Sequence, residues 1–337
     1  MTRRVATVNF LPSSYSVKLF LHSPCFCPKM NIPVVDFSSY SLEKEDVPDE
    51  QLHALVTELR AAFTEVGFVF LQNYGIAQEL VDCAMETSKQ FFLQPDEEKQ
   101  PFSRGNFENC FNHGWVSMET ESLNPSRPGD LKEAFNISSL DPEIKWPSKH
   151  FQEVHTSFFQ LCKELSLRVL KVVALSLNLQ PDVILSAHKF IGTSNKNGTT
   201  LRALYYPPLN SENAKEGQIR CGEHTDYGTF TLLFQGSEGL QVCGHSGEFF
   251  PAPNIPGAIL LNIADLLQRW TSDQYISVCH RVLLPPVGDS CTRQSLAFFL
   301  HPDDEAVITC LDGSNKYPPI TAEAHALKKL RDSYGKI

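Results

Sequence analysis

Cys221 to Thr231 reads CGEHTDYGTFT, and further along Ser277 to Leu284 reads SVCHRVLL. In the first stretch His224 and Asp226 stand two residues apart, so in an extended segment both side chains project to the same side. One metal ion can touch both. In the second, Val278, His280 and Val282 fall on one face, which sets an imidazole among inward-facing apolar residues, where it needs a partner. Two imidazoles and one carboxylate on one side of an ion form a facial triad, leaving positions open for O2 and a chelating co-substrate. A closed structural zinc site would want four protein ligands, normally with cysteine among them. An HxD triplet alone arises often by chance, and a lone strand histidine is ordinarily a core or surface residue.

A third element adds weight. Arg293 and Ser295 are again i and i+2, at the start of a strand that continues into apolar Leu296 to Leu300. Facing inward, the guanidinium is a buried cation that must be compensated, and a bidentate pair with a ligand carboxylate does so, with Ser295 adding a hydroxyl. Facing outward, Arg293 is an ordinary surface residue paired with an acidic neighbour.

Around these motifs the chain from Leu201 is a series of short β-rich runs broken by Gly, Pro, Asn and Asp, as in a sandwich or barrel. Expected strands are Leu201 to Tyr206, Ile219 to Glu223, Thr229 to Gln235, Leu240 to Cys243, Ala258 to Ile263, Ser277 to Leu284 and Ser295 to His301. That number suits a double-sheet jelly roll. Before them, Phe151, Val154, Phe158, Leu161, Leu165, Val169 and Val172 recur every three or four residues and predict a long helix reaching about Leu177. Residues 93 to 148, rich in Pro, Gly, Asn and Ser, read mainly as loops that could cover a site. Upstream lie an expected strand at Ile32 to Phe37, a helix through Leu52 to Phe63, a strand at Gly67 to Gln72 and a helix from Gln78 to Phe92. Ala322 to Tyr334 reads as a polar helix. The fold class is thus mainly β with flanking helices, divided into 1-29 as an extension, 30-148 as an N-terminal region and 149-337 as the helix-supported jelly roll.

The 337 residues carry a formal net charge of -10, which opposes binding to nucleic acid or to anionic lipid. No apolar run is long enough to span a bilayer. The ten cysteines contain no CxxC pair and read as reduced thiols of an intracellular protein. Residues 1 to 29 hold Arg3, Arg4, Lys18 and Lys29 with no acidic residue, the composition of a mitochondrial transit peptide; alternatively, Met30 is the working start and the protein is cytoplasmic. Asn136 and Asn197 head glycosylation sequons, expected to be unused without secretion. The remaining histidines are expected on the surface. Phe107, Phe111, Trp115, Phe234 and Phe298 are candidates for pocket or core.

The chain resembles the isopenicillin N synthase-like 2-oxoglutarate and Fe(II)-dependent oxygenases from Ile32 to about Tyr334. The resemblance rests on IPVVDF, AFTEVGFVFLQNYGI at Ala62 to Ile76, GDLKEAFNI at Gly129 to Ile137, LRALYYPP at Leu201 to Pro208, HTDYGTFTLL at His224 to Leu233, GLQV at Gly239 to Val242, HRV at His280 to Val282 and RQS at Arg293 to Ser295. It implies a double-stranded β-helix, the jelly roll already expected, with Fe(II) on His224, Asp226 and His280. It also implies 2-oxoglutarate held through its distal carboxylate by Arg293 and Ser295, with Tyr206 assisting. Three positions depart from the family pattern: Leu204 where Asn is frequent, NIAD at Asn262 to Asp265 for Asn-x-Gly-Asp, and Cys279 for an aromatic residue. Altered packing is expected from these.

The activity so implied is a dioxygenase that couples decarboxylation of 2-oxoglutarate to succinate with oxidation, by default hydroxylation, of a small molecule. Two other readings stay open on the residues: an Fe(II) oxidase of the isopenicillin N synthase or aminocyclopropane-carboxylate oxidase type, which does not use 2-oxoglutarate, and a catalytically silent binding module. Spectroscopic titration with the keto acid separates the first from a dioxygenase. Indifference to Asp226→Ala would mark the second.

Overall fold

The computed structural model describes residues 31–334 apart from 108, 109, 111 and 194, so the expected extension at 1-29 lies outside the described residues. The chain runs β1 (Val34–Asp36), α1 (His53–Glu65), β2 (Phe68–Gln72), α2 (Gln78–Phe92), α3 (Asp96–Lys99), β3 (Gly114–Val116), β4 (Glu133–Ile137), α4 (Lys149–Ser176) and α5 (Asp182–Leu185). It continues through β5 (Thr200–Tyr206), β6 (Cys221–His224), β7 (Phe230–Gln235), β8 (Leu240–Cys243), β9 (Phe249–Pro251), β10 (Ala258–Ile263) and α6 (Asp265–Trp270). Then follow β11 (His280–Val282), β12 (Arg293–Leu300), β13 (Val307–Ile308), β14 (Ile320–Thr321) and α7 (Ala322–Tyr334).

An eight-stranded sheet in the order β1-β2-β10-β7-β12-β5-β4-β3 and a four-stranded sheet in the order β6-β11-β8-β9 form the jelly roll. Strand alternation divides the large sheet into two chemistries. Val69, Leu71, Ile259, Leu261, Phe230, Leu232, Leu296, Phe298, Leu201, Ala203, Phe135 and Ile137 share one face and one apolar core with α1, α2 and α4. The other face is polar in its middle and carries Thr231, Asn262, Arg293, Ser295, Arg202, Tyr206 and Asn136. Burying each large side chain on the helix side contributes about 1.5–3 kcal/mol, enough for this face alone to fix the register. The helix α4 starts where Ser148 Oγ accepts the Phe151 N–H at 3.1 Å, relieving one of its unpaired donors.

Two expected elements differ in the structure. The 93–148 stretch is not mainly loop: β3 and β4 extend the large sheet, and all five residues of β4 are buried. Their polar residues pass as loop composition because the partners come from elsewhere. Lys99 Nζ and Trp115 Nε1 both donate to Glu133 Oε2, at 2.6 and 2.7 Å. The Ser277 to Leu284 strand contracts to β11, because Ser277 N–H is taken by Gln268 Oε1 and Ile276 N–H by Phe63 O, drawing the chain off the sheet. The strand β9 and the helix α6 had no counterpart in the sequence reading.

The histidines beyond the motifs are not all on the surface: His113, His155, His188 and His325 are buried. His155 donates from Nδ1 to Phe151 O and its Nε2 lies 2.8 Å from Ser88 Oγ, while His188 donates from Nδ1 to Ile184 O with its Nε2 2.9 Å from Thr229 Oγ1. His113 packs against the rings of Phe107, Phe135 and Trp146. Burial pushes His113, His155 and His188 down to about 4. Between pH 6.5 and 4 the unfolded chain therefore binds more protons than the folded one. Stability is full above the unfolded value near 6.5 and falls as the pH drops toward 4, by at most about 3 kcal/mol per histidine. We expect the urea midpoint to fall clearly between pH 7 and pH 5; an unchanged midpoint would contradict neutral buried imidazoles.

Candidate active site

The two sheets meet at His224, Asp226 and His280. His224 closes β6 and His280 opens β11, and the two are direct cross-strand partners with ring centroids 4.3 Å apart. Asp226 lies past the end of β6, so the turn toward β7, rather than strand alternation, brings it back to His224. Gly228 makes that turn possible, since a Cβ there would sit 2.2 Å from Leu300 O. Donor atoms of the three residues lie within 4.8 Å of one another, and this is the group among the described residues that could hold a metal ion.

Each side chain is aimed by its neighbours. His224 Nδ1 donates to Gly222 O at 2.8 Å and His280 Nδ1 to Val278 O at 3.1 Å, turning both Nε2 atoms toward Asp226 Oδ1, 3.7 Å from each. Such outer contacts fix tautomer and ring orientation at metal sites. Asp226 Oδ2 accepts from Thr231 Oγ1 at 2.6 Å and Asn262 Nδ2 at 2.7 Å, which leaves Oδ1 facing the imidazoles. Burial first, then His280, holds the His224 imidazole far below its usual range, so it is neutral near pH 7. For Asp226, burial opposes ionisation, but His280, His224 and the bonds from Asn262 and Thr231 outweigh it and keep the carboxyl low. Thr231 has no signal in the sequence, and Asn262 enters it only as the first residue of NIAD, with no role toward Asp226 assigned.

Arg293 and Ser295 both face this interior and are 2% and 1% exposed. Arg293 donates to Ser295 Oγ at 3.2 Å and, weakly, to Gln235 Oε1 at 3.4 Å, while its Nε has no partner. Its guanidinium carbon lies 4.9 Å from the centre of the Tyr206 ring. No carboxylate of the described residues pairs with it. Burial raises the Tyr206 phenol to about 12, so the hydroxyl stays protonated. The donor set and the orphaned cation together fit a divalent ion with a chelating carboxylate ligand.

The 118–131 segment clamps onto β6. Asp130 Oδ1 accepts the Gly222 N–H at 3.0 Å, and the Leu131 N–H reaches Ile219 O at 3.1 Å. Glu223, beside His224, binds Arg127, Arg281 and Asn124. Of the aromatic candidates, Trp115, Phe234 and Phe298 belong to the helix-side core, Phe107 packs on His113, and Phe111 lies outside the described residues. Asn136 and Asn197 are 1% and 0% exposed, which closes both sequons to glycosylation. The described cysteines are all free thiols. No helix of the described residues is long and apolar enough to cross a membrane.

Comparison with known proteins agrees with this geometry. The pattern of the 2OG-Fe(II) oxygenase superfamily matches residues 197–302, and that of the non-haem dioxygenase in morphine synthesis N-terminal region matches residues 32–157. A proline hydroxylase of Petromyces alliaceus is 31% identical over 300 residues, 84% of this chain and 91% of its own. A 2-oxoglutarate-Fe(II) type oxidoreductase of Metarhizium majus is 27% identical over 86% of this chain and 84% of its own. The crystal structure of Neurospora crassa T7H with alpha-KG and thymine superposes with a TM-score of 0.77 at 28% identity, over 90% of this chain and 97% of that one. The chain belongs to the 2-oxoglutarate and Fe(II)-dependent oxygenase family. It is an Fe(II)- and 2-oxoglutarate-dependent dioxygenase that uses O2 and acts on a small molecule.

Proposed function

We propose that His224, Asp226 and His280 hold the Fe(II), that Arg293, Ser295 and Tyr206 hold the distal carboxylate of 2-oxoglutarate, and that the reaction is hydroxylation of a small polar molecule. The observation that carries this reading is Arg293, a buried cation on the polar face of the large sheet with no acidic partner among the described residues. Desolvating such a charge is costly unless a counter-charge arrives, and the far carboxylate of a keto acid is one. Bound there, Fe(II) with O2 and 2-oxoglutarate supplies the oxidising chemistry, the keto acid leaving as succinate and CO2.

The chain's own residues orient the groups that would hold the ion and the keto acid. Thr231 and Asn262 hold Asp226 Oδ2 so that Oδ1 alone is presented. The carbonyls of Gly222 and Val278 fix both imidazoles with Nε2 inward. Ser295 and Tyr206 brace the Arg293 guanidinium, and the clamp through Asp130 and Glu223 ties down β6, the edge strand of the small sheet. Asn262→Ala is expected to weaken Fe(II) binding ~10- to 100-fold, the usual cost of losing an outer partner, measured by competition with a chelator; unchanged affinity would mean that Thr231 alone orients the carboxylate.

The test is anaerobic titration of the Fe(II) protein with 2-oxoglutarate, followed by aerobic succinate assay with candidate substrates. A visible charge-transfer band and substrate-stimulated succinate are expected. Absence of both would favour the oxidase reading. A relative named as a proline hydroxylase and a structural neighbour crystallised with thymine make proline and thymine the first compounds to try.

A further inference from the structure

Register lays out the interior face of the large sheet as rungs about 7 Å apart, two residues per step. One rung joins Arg293 to Tyr206, the next Ser295 to Leu204 and Gln235. Two steps beyond, Phe299 lies beside Thr200 and Thr231, and Thr231 touches Asp226. Between them stands a rung with no role in the scheme above: Asn136, Arg202, Ala297 and Leu233.

Solvent reaches this rung. Arg202, Leu233 and Phe299 are partly exposed although they sit in central strands whose opposite face is sealed by helices, and small Ala297 leaves room between them. Asn136 is 1% exposed; its Nδ2 donates to Asn112 Oδ1 at 3.1 Å, while its Oδ1 is buried with no partner. Asn136 and Arg202 are direct cross-strand partners. Arg202 is anchored to Glu121, which also pairs with Arg104 and Lys132, and Lys132 pairs with Asp130. Three positive groups against two negative ones leave this patch at about +1, which disfavours a cationic ligand.

An orphan acceptor beside an all-donor group calls for a ligand edge with the reverse order. A carboxylate offers acceptors only and leaves Asn136 Oδ1 unpaired. An amide edge, C=O next to N–H, meets both, and Phe299 supplies a ring on which a flat molecule packs. We infer that the primary substrate is a neutral planar ring with an amide edge, its C=O toward Arg202, its N–H toward Asn136 and its face toward Phe299. The inference rests on the dioxygenase reading above and deepens it.

The experiment uses the intact Fe(II) protein with 2-oxoglutarate and five probes: thymine, uracil and hydantoin as neutral amide-edged rings, benzoate as a planar carboxylate, and proline. Succinate formation stimulated by at least one of the three rings, and by neither benzoate nor proline, is the expected result. Asn136→Ala should then raise KM for that ring tenfold or more, as should Phe299→Ala, with the anaerobic keto-acid band still formed. Stimulation confined to benzoate or proline, stimulation by none of the rings, or a KM unmoved in both variants overturns the inference. A wild-type protein that forms no keto-acid band instead fails the underlying dioxygenase reading, which keeps the two failures apart.

Discussion

Asp226→Ala is expected to eliminate substrate-dependent succinate formation and to lower Fe(II) affinity by more than about 100-fold, beyond the usual cost of losing an outer-shell partner. The carboxylate is the anionic member of the constellation, and without it two imidazoles remain, both aimed at an atom that is gone. The same change strips Thr231 Oγ1 and Asn262 Nδ2 of their acceptor, and each buried donor so orphaned costs about 1–3 kcal/mol. Loss of stability must therefore be separated from loss of metal. Asp226→Asn keeps size and an acceptor while removing the charge; it should melt close to the parent yet still bind Fe(II) weakly. A variant at Asp226 that retains metal-dependent turnover would show that the triad is misassigned.

Arg293→Met should raise KM for 2-oxoglutarate ~30-fold to several thousand-fold, because truncating one partner of a buried charge pair costs about 2–5 kcal/mol. Its effect on the ligand-free protein has the opposite sign from that of most core mutations. Arg293 is 2% exposed and has no acidic partner among the described residues, so replacing it by an apolar side chain of similar length removes an uncompensated charge. The ligand-free melting temperature should hold or rise, whereas the stabilisation that 2-oxoglutarate confers on the parent should disappear. A variant that melts much lower without ligand, or that keeps the keto-acid affinity, would argue that the guanidinium is structural.

These two sites were legible in sequence to different depths. Arg293 and Ser295 needed only alternation and the apolar run after them, and β12 places both inward as that argument expects. A long apolar period gives α4 nearly to the residue, because local spacing carries the signal. The motif pair HxD was recognised for a reason that holds only in part, since Asp226 turns back after β6 rather than extending it. Segments whose burial is polar read as exposed: β4 opens with Glu133, directly after buried Lys132, and His155 of α4 and His188 beyond α5 are interior. Charged and polar residues are buried where partners distant in sequence satisfy them, and no local window contains Lys99 for Glu133 or Thr229 for His188.

By itself the sequence determined which residues are the candidates for the chemistry, the alternation that turns Arg293 inward and the jelly-roll class, because these depend on residue type and on spacings of a few positions. Only the tertiary structure decided that Thr231 and Asn262 orient Asp226, that Arg293 meets no acidic partner among the described residues, and that Asn136 stands opposite Arg202 with an unpaired oxygen. Each of those is a relation between strands far apart in the chain, set by the register in which the helix-facing apolar side chains pack.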